Sequence, residues 1–170
     1  ENAKLNDVED KMEIKKGNLL DVVKGRADLI VSNIIAEEIV DEIKNLKNLT
    51  LLDISDQYSD VDCANIPNTL MTLNLRCNSL RNINKLSNLK KLSRIDIEKS
   101  RVSTIDFIKD MNVEYLKLEN NIITDISPLK GSTVRNAYLT NNPVDPNEQN
   151  NAETIAFFNN HVDGIYRNLY

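Results

Sequence analysis

Two consecutive segments within residues 113–144, VEYLKLENNII and VRNAYLTNNPV, fit one template, LxxLxLxxNxL, without a gap. Apolar residues fall at Val113, Leu116, Leu118 and Ile123, with Asn121 in the polar slot. They recur at Val134, Ala137, Leu139 and Val144, with Asn142 in the same slot. The frame extends backwards. LSRIDIEKSRV places Leu92, Ile95, Ile97 and Val102, with Ser100 in the slot. LMTLNLRCNSL places Leu70, Leu73, Leu75 and Leu80, with Asn78. LTLLDISDQYS begins the series at Leu49, Leu52 and Ile54, with Gln57 in the slot and Ser59 at the last apolar position. First positions at 49, 70, 92, 113 and 134 give steps of 21 or 22 residues. A period of this size marks a solenoid of stacked coils and biases function toward binding rather than chemistry.

The physical reading of one coil is direct. Template positions 4 and 6 share one face of a short strand, because side chains alternate with period two. Position 1 and the apolar residues after the slot (Leu80, Ile83, Leu86; Val102, Ile105, Ile108; Ile123, Ile126, Leu129) turn inward as well. One coil cannot bury this apolar edge alone, so neighbours stack and share a core. The slot asparagine sits where the chain leaves the strand. Its amide both donates and accepts, which suits it to backbone groups left unpaired in the turn. Ser100 and Gln57 are poorer at this, and the turns they occupy are expected to be looser.

Composition excludes several functions. A net charge of −5 over 170 residues argues against nucleic acid or an anionic membrane as main partner. Four glycines and no GxGxxG or GxxxxGK[ST] leave no phosphate-cradling loop. No apolar run approaches the roughly 20 residues of a membrane span. Cys63 and Cys77 have neither metal nor redox spacing and are expected to be free thiols. The acidic stretch DISDQYSDVD lacks the central Gly and closing Glu of a calcium loop, and reads as a solvated connector. His161, the single histidine, has no Ser or Cys partner fixed in sequence. Lys90, Lys91 and Arg94 form a small basic group, read as a surface feature. Neither cofactor nor metal is expected. The first residue is Glu1 rather than Met, as expected of a processed or trimmed chain.

Outside the repeats the pattern changes. Residues 11–18 and 27–33 read as strands and 18–23 as a short helix or turn. Residues 34–49 carry a helical apolar stripe with Asn33 as a candidate N-cap. Residues 55–69 are polar apart from Val61 and Ile66 and are expected to be irregular. After Pro143 and Pro146, Ile155, Phe158 and Val162 fall at helical spacing, with Asn151 as a candidate cap. Phe157, Phe158, Tyr166 and Tyr170 are expected to form the core of that terminal element. The organisation expected is 1–47 as N-terminal cap, 48–147 as repeats and 148–170 as C-terminal cap.

Two resemblances attach to these residues. LENNIITDISPL and the surrounding repeats, about residues 46–147, resemble bacterial internalin-like leucine-rich-repeat proteins. That likeness implies an α/β solenoid, a right-handed leucine-rich-repeat superhelix with short parallel strands on the concave face. It also implies 3₁₀ turns on the convex side, for which Pro128 is a suitable start, and a cell-surface or secreted location. Residues 1–40 resemble the middle of a class I, S-adenosylmethionine-dependent methyltransferase, most closely the family that methylates a large-subunit ribosomal protein. By that likeness Asn18 to Asp21 would lie near the adenine and Asn33 near the target nitrogen, in a cytoplasmic protein. The family's Gly-rich loop and ribose-holding acid are missing, so the segment reads as a fusion relic serving as N-terminal cap.

The strand geometry also selects a functional surface. Template positions 3, 5 and 7 point away from the core. Position 3 gives the column Leu51, Thr72, Arg94, Tyr115, Asn136. Position 5 gives Asp53, Asn74, Asp96, Lys117, Tyr138, and position 7 gives Ser55, Arg76, Glu98, Glu119, Thr140. Tyrosine and arginine dominate protein interfaces, so Leu51, Arg76, Arg94, Asp96, Tyr115, Lys117 and Tyr138 are the candidate partner-binding residues. Without a partner, the charges would merely neutralise one another across adjacent strands. The expected function is non-catalytic binding of a protein partner. The alternative is a remnant or accessory part of a ribosomal-protein methyltransferase.

Overall fold

The computed structural model of the chain describes residues 29–31, 43 and 46–160. Each template copy contributes one short strand that includes positions 3 to 5: β2 (Leu51–Asp53), β4 (Thr72–Asn74), β6 (Arg94–Asp96), and the longer β7 (Asn112–Lys117) and β8 (Thr133–Tyr138). With β1 (Leu29–Val31) they form one parallel sheet in the order β1-β2-β4-β6-β7-β8. The register aligns Leu52, Leu73, Ile95, Leu116 and Ala137 in one row. This is the row that the 21–22-residue period requires. β1 comes from outside the repeats, yet it pairs parallel with β2, Leu29 opposite Leu51.

The core follows the template. Positions 1, 4 and 6 are buried in every copy, from Leu49, Leu52 and Ile54 to Val134, Ala137 and Leu139. Behind them lie Leu86, Ile105, Ile108, Ile126 and Leu129. Burying a leucine or isoleucine side chain contributes about 1.5–3 kcal/mol, so a ladder of aligned apolar rows is the dominant attraction. Phe107 and Met111, which no template position marked, are buried in the same cluster. Short 3₁₀ turns carry the chain back behind the sheet at Cys63–Asn65, Ile83–Asn88, Asp106–Ile108 and Ser127–Gly131. Pro128 sits in the first turn of the last of these. The fixed φ of proline and its missing N–H cost nothing there.

The slot asparagines stitch coil to coil. Asn121 Nδ2 donates to Leu118 O in its own coil and to Ile97 O in the preceding one, both at 2.9 Å. Its Oδ1 accepts from Ser100 N and Val102 N, each at 3.0 Å. Asn78 repeats the pattern with Leu75 O, Ile54 O and Ser59 N, and Asn142 with Leu139 O, Leu118 O and Ile123 N. Ser100 keeps the donor half alone, giving its hydroxyl to Glu98 O and Leu75 O. Gln57 Nε2 donates to Ser55 O of its own coil.

A backbone feature accompanies the slot. The residue just before it has positive φ in all five coils: Asp56, Cys77, Lys99, Asn120 and Asn141, between 55° and 60°. The N–H of this left-handed residue donates to the strand-end carbonyl of the next coil, as in Cys77 N to Glu98 O and Asn120 N to Thr140 O. Where the slot is Gln57 or Ser100, the following residue is left-handed too, Tyr58 at 53° and Arg101 at 53°. Neither is glycine, so each conformation costs roughly 1–2 kcal/mol. At the asparagine slots the residue that follows is not left-handed.

Three expectations are corrected. Residues 55–69 are not irregular throughout: β3 (Asp60–Asp62) pairs parallel with β5 (Ser79–Arg81), and Asp62 Oδ1 caps the following 3₁₀ turn through Ala64 N at 2.9 Å. The terminal helix α1 begins at Gln149, so Asn151 is not its N-cap. Asn151 is fully buried inside the helix instead. It accepts from Ile126 N and donates to Thr124 O and Asp145 O, anchoring α1 to the fourth coil. Phe158 completes that contact in the core, with Phe157 edge-on at 5.4 Å and more exposed. Cys63 and Cys77 are unpaired and buried, and burial pushes the Cys63 thiol up to about 12. Ile43 is helical and buried. The third correction is at the end of the 34–49 stripe, where residues 46–49 are turn and coil rather than helix. The strand and helix expected at 11–23, residues 34–42, 44 and 45 of that stripe, Asn18 to Asp21, Asn33, His161, Val162, Tyr166 and Tyr170 lie outside the described residues.

Replacing Asn121 by alanine strands the Ser100 and Val102 N–H groups and the Ile97 carbonyl, while Leu118 O keeps its bond from Asn142. The variant should lose about 3 kcal/mol or more of unfolding free energy, read from the urea midpoint at unchanged slope.

Candidate binding surface

On the sheet, the predicted columns at template positions 3 and 5 are in register. Leu51 aligns with Thr72, Arg94, Tyr115 and Asn136, and Asp53 with Asn74, Asp96, Lys117 and Tyr138. The centre of this surface is an arginine–tyrosine pair. The Arg94 guanidinium lies 4.6 Å from the centroid of the Tyr115 ring on the neighbouring strand. A stacked guanidinium keeps its donors while losing rotational freedom. Tyr138 stands one strand further along, in the adjacent column, half-buried like Tyr115.

Around this pair the charges are mostly matched. Lys117 Nζ lies 3.7 Å from Asp96 Oδ2, across the β6–β7 step. Arg76 pairs with Asp56; the Cys77 hydrogen bond first, and then Arg76, hold the Asp56 carboxyl below its usual range, while Asp56 holds the guanidinium further up. Lys99 meets Glu98 at 3.0 Å, and Asn120 Nδ2 donates to Glu98 Oε1 at 3.2 Å. Exposed pairs of this kind contribute about 0–1 kcal/mol each. They fix side-chain positions more than they stabilise the fold.

Glu119 is the exception. Its Oε2 is buried without a hydrogen-bond partner among the described residues. Burial raises its pKa first, and the neighbouring Glu98 and Asp96 carboxylates add to the shift against the opposing pull of Lys117. Of the predicted residues, Arg94 and Lys117 are exposed, and Arg76, Asp96, Tyr115 and Tyr138 are half-buried. Leu51 is half-buried rather than an exposed leucine, and Asn136, placed in an outward column, is buried. The Asn136 amide donates to Glu114 O at 3.0 Å, so it ties β8 to β7 and is withdrawn from the surface. Sequence reasoning missed this because alternation assigns a face, not whether a short amide folds back onto the backbone.

No group of His, Cys, Asp and Glu side chains among the described residues is arranged to hold a metal ion. Among the same residues, no helix is long and apolar enough to cross a membrane.

A parallel sheet built from 21–22-residue coils, with 3₁₀ turns behind it, is a leucine-rich-repeat fold of the α/β type. Solved structures agree. An internalin C2 from Listeria monocytogenes superposes with a TM-score of 0.60 at 21% identity, covering 77% of this chain and 56% of that one. A leucine-rich-repeat protein of Leptospira interrogans gives 0.53 at 19% identity, over 82% of this chain and 41% of the other. These likenesses establish the fold. No family model matches the chain. Short stretches match ribosomal protein L11 methyltransferases of bacteria: 54% identity over 48 residues with that of Alkaliphilus metalliredigens, and 62% over 37 residues with one from Clostridium botulinum. The first covers 28% of this chain and the second 22%. The chain therefore resembles two unrelated proteins, an internalin-like repeat protein and part of a methyltransferase. It spans 15% and 12% of these methyltransferases' own length.

The raised pKa of Glu119 has a definite sign. A carboxyl that holds its proton more tightly when folded favours folding as pH falls, and costs stability once pH rises through the folded pKa. Glu119→Gln should therefore raise the urea midpoint near neutrality. The difference should vanish in acid, where Glu119 itself is protonated.

Proposed function

We propose that the chain is a non-catalytic protein-binding module. In this reading it is a right-handed solenoid whose concave sheet face grips a protein partner. Residues 1–47 serve as its N-terminal cap, 48–147 as the repeats and 148–170 as its C-terminal cap. The observation that carries the reading is the Arg94–Tyr115 stack beside Tyr138 on an open parallel sheet. Rigid aromatic groups next to a preorganised guanidinium bury much area at little entropic cost, which is what interface hot spots require. Leu51, Arg76, Asp96 and Lys117 flank the anchors and set the complementarity around them. The internalin-like fold of the neighbours agrees with a binding role.

The second reading is a remnant or accessory part of an S-adenosylmethionine-dependent methyltransferase, favoured by the short high-identity matches. Against it, the chain spans a small part of those enzymes, and β1 is hydrogen-bonded to the first repeat strand. Isothermal calorimetry with S-adenosylmethionine should give no binding heat; saturable binding would reverse the order of the two readings.

For the first reading, immobilised chain is exposed to bacterial extract and retained proteins are quantified by mass spectrometry. The Tyr115→Ala, Tyr138→Ala double variant should lose the proteins that the unaltered chain retains, with melting nearly unchanged. Equal retention by the variant would remove this face as the binding surface.

A further inference from the structure

A second surface lies apart from the sheet face. A groove of about 850 Å³ runs across the leading ends of β6, β7 and β8, where template positions 1 and 2 of three consecutive coils come together. Lys90 and Lys91 belong to the β6 side and Arg135 to the β8 side, with Ser93 and Glu114 between them, and Phe157 of α1 also lines the groove. The three cations are exposed, and none has an ion-pair partner among the described residues. With three cations against the single carboxylate of Glu114, the groove carries a formal charge of 3 − 1 = +2, although the chain as a whole is at −5. On the sheet face, by contrast, each cation of the candidate set already has a carboxylate or a ring beside it.

We infer that this groove docks an acidic peptide segment of a protein partner. The dimensions fit an extended chain. Three adjacent coils span about 10 Å at the usual strand spacing, the length of three to four extended residues. Carboxylates at the two ends of such a segment reach Lys90 and Lys91 on one side and Arg135 on the other. An apolar or aromatic side chain between or beyond them covers Phe157. Charge complementarity favours acidic protein over the alternatives. Two net charges over so short a length are too few to hold a nucleic-acid backbone against the repulsion of a chain at −5. The groove and the sheet face share none of the candidate residues, so this inference stands whether or not the sheet-face reading holds.

The test uses fluorescence anisotropy with the full chain and a fluorescein-labelled peptide of sequence EEFEE, beside its neutral counterpart QQFQQ. The acidic peptide should bind and the neutral one should not. Binding should weaken as salt is raised, because the contacts are solvent-exposed charges. The Lys90→Gln, Lys91→Gln, Arg135→Gln triple variant should bind EEFEE at least tenfold more weakly. All three positions are exposed, and an unchanged melting curve verifies that the variant folds. The Tyr115→Ala, Tyr138→Ala variant should bind EEFEE as the unaltered chain does, which separates this groove from the sheet face. Absence of EEFEE binding, equal binding of QQFQQ, or full affinity in the triple variant would overturn the proposal. Tighter binding of a short single-stranded DNA than of EEFEE would also overturn it.

Discussion

A buried amide between two backbones holds this structure in its repeat. Every coil must leave its strand and turn back, and that turn removes carbonyl and N–H groups from water without a strand partner. Asn78, Asn121 and Asn142 satisfy those groups in two coils at once, donating to carbonyls and accepting from N–H groups. Without the amide, each turn would bury several unpaired polar groups, each costing about 1–3 kcal/mol. The apolar rows supply the attraction between coils. The asparagines fix the spacing and register at which it acts, and that register is what lines up Arg94, Tyr115 and Tyr138.

The exceptions make the same point. Serine offers one oxygen where asparagine offers an oxygen and a nitrogen. Ser100 therefore satisfies carbonyls but gives no acceptor to the coil before it. At that turn, and at the turn of Gln57, the residue after the slot is left-handed as well as the one before it. What distinguishes these two turns in the structure is the left-handed backbone at Arg101 and Tyr58. Ser100 itself is buried and bonded. The double asparagines at 120–121 and 141–142 divide the work: the first tolerates the left-handed bend, the second makes the ladder.

The two surfaces differ in how charge is used. On the sheet face most cations are held by a neighbouring carboxylate or ring, so in the proposed binding role recognition there would depend on fixed shape and on aromatic area. Among the described residues, Glu119 is the one carboxylate whose oxygen is left buried and unpartnered, and its burial raises its pKa. At the flank, Lys90, Lys91 and Arg135 remain solvated, and recognition there would depend on long-range charge. A binding module with both can steer a partner by one surface and grip it with the other.

The repeat period, the strand positions, the buried rows and the composition of the outward columns were all legible in the sequence. Each follows from an interaction between residues a fixed number of positions apart. The candidate residues were legible to the same extent, since alternation alone assigns Arg94, Tyr115 and Tyr138 to the open face. Other features were settled only in three dimensions: the pairing of β1 with β2, the β3–β5 ladder, the helix-buried role of Asn151, the withdrawal of Asn136 and the convergence of Lys90, Lys91 and Arg135 beside Phe157. These depend on which distant groups meet across coils and on how a side chain satisfies a particular backbone atom, and neither has a period that a linear pattern can carry.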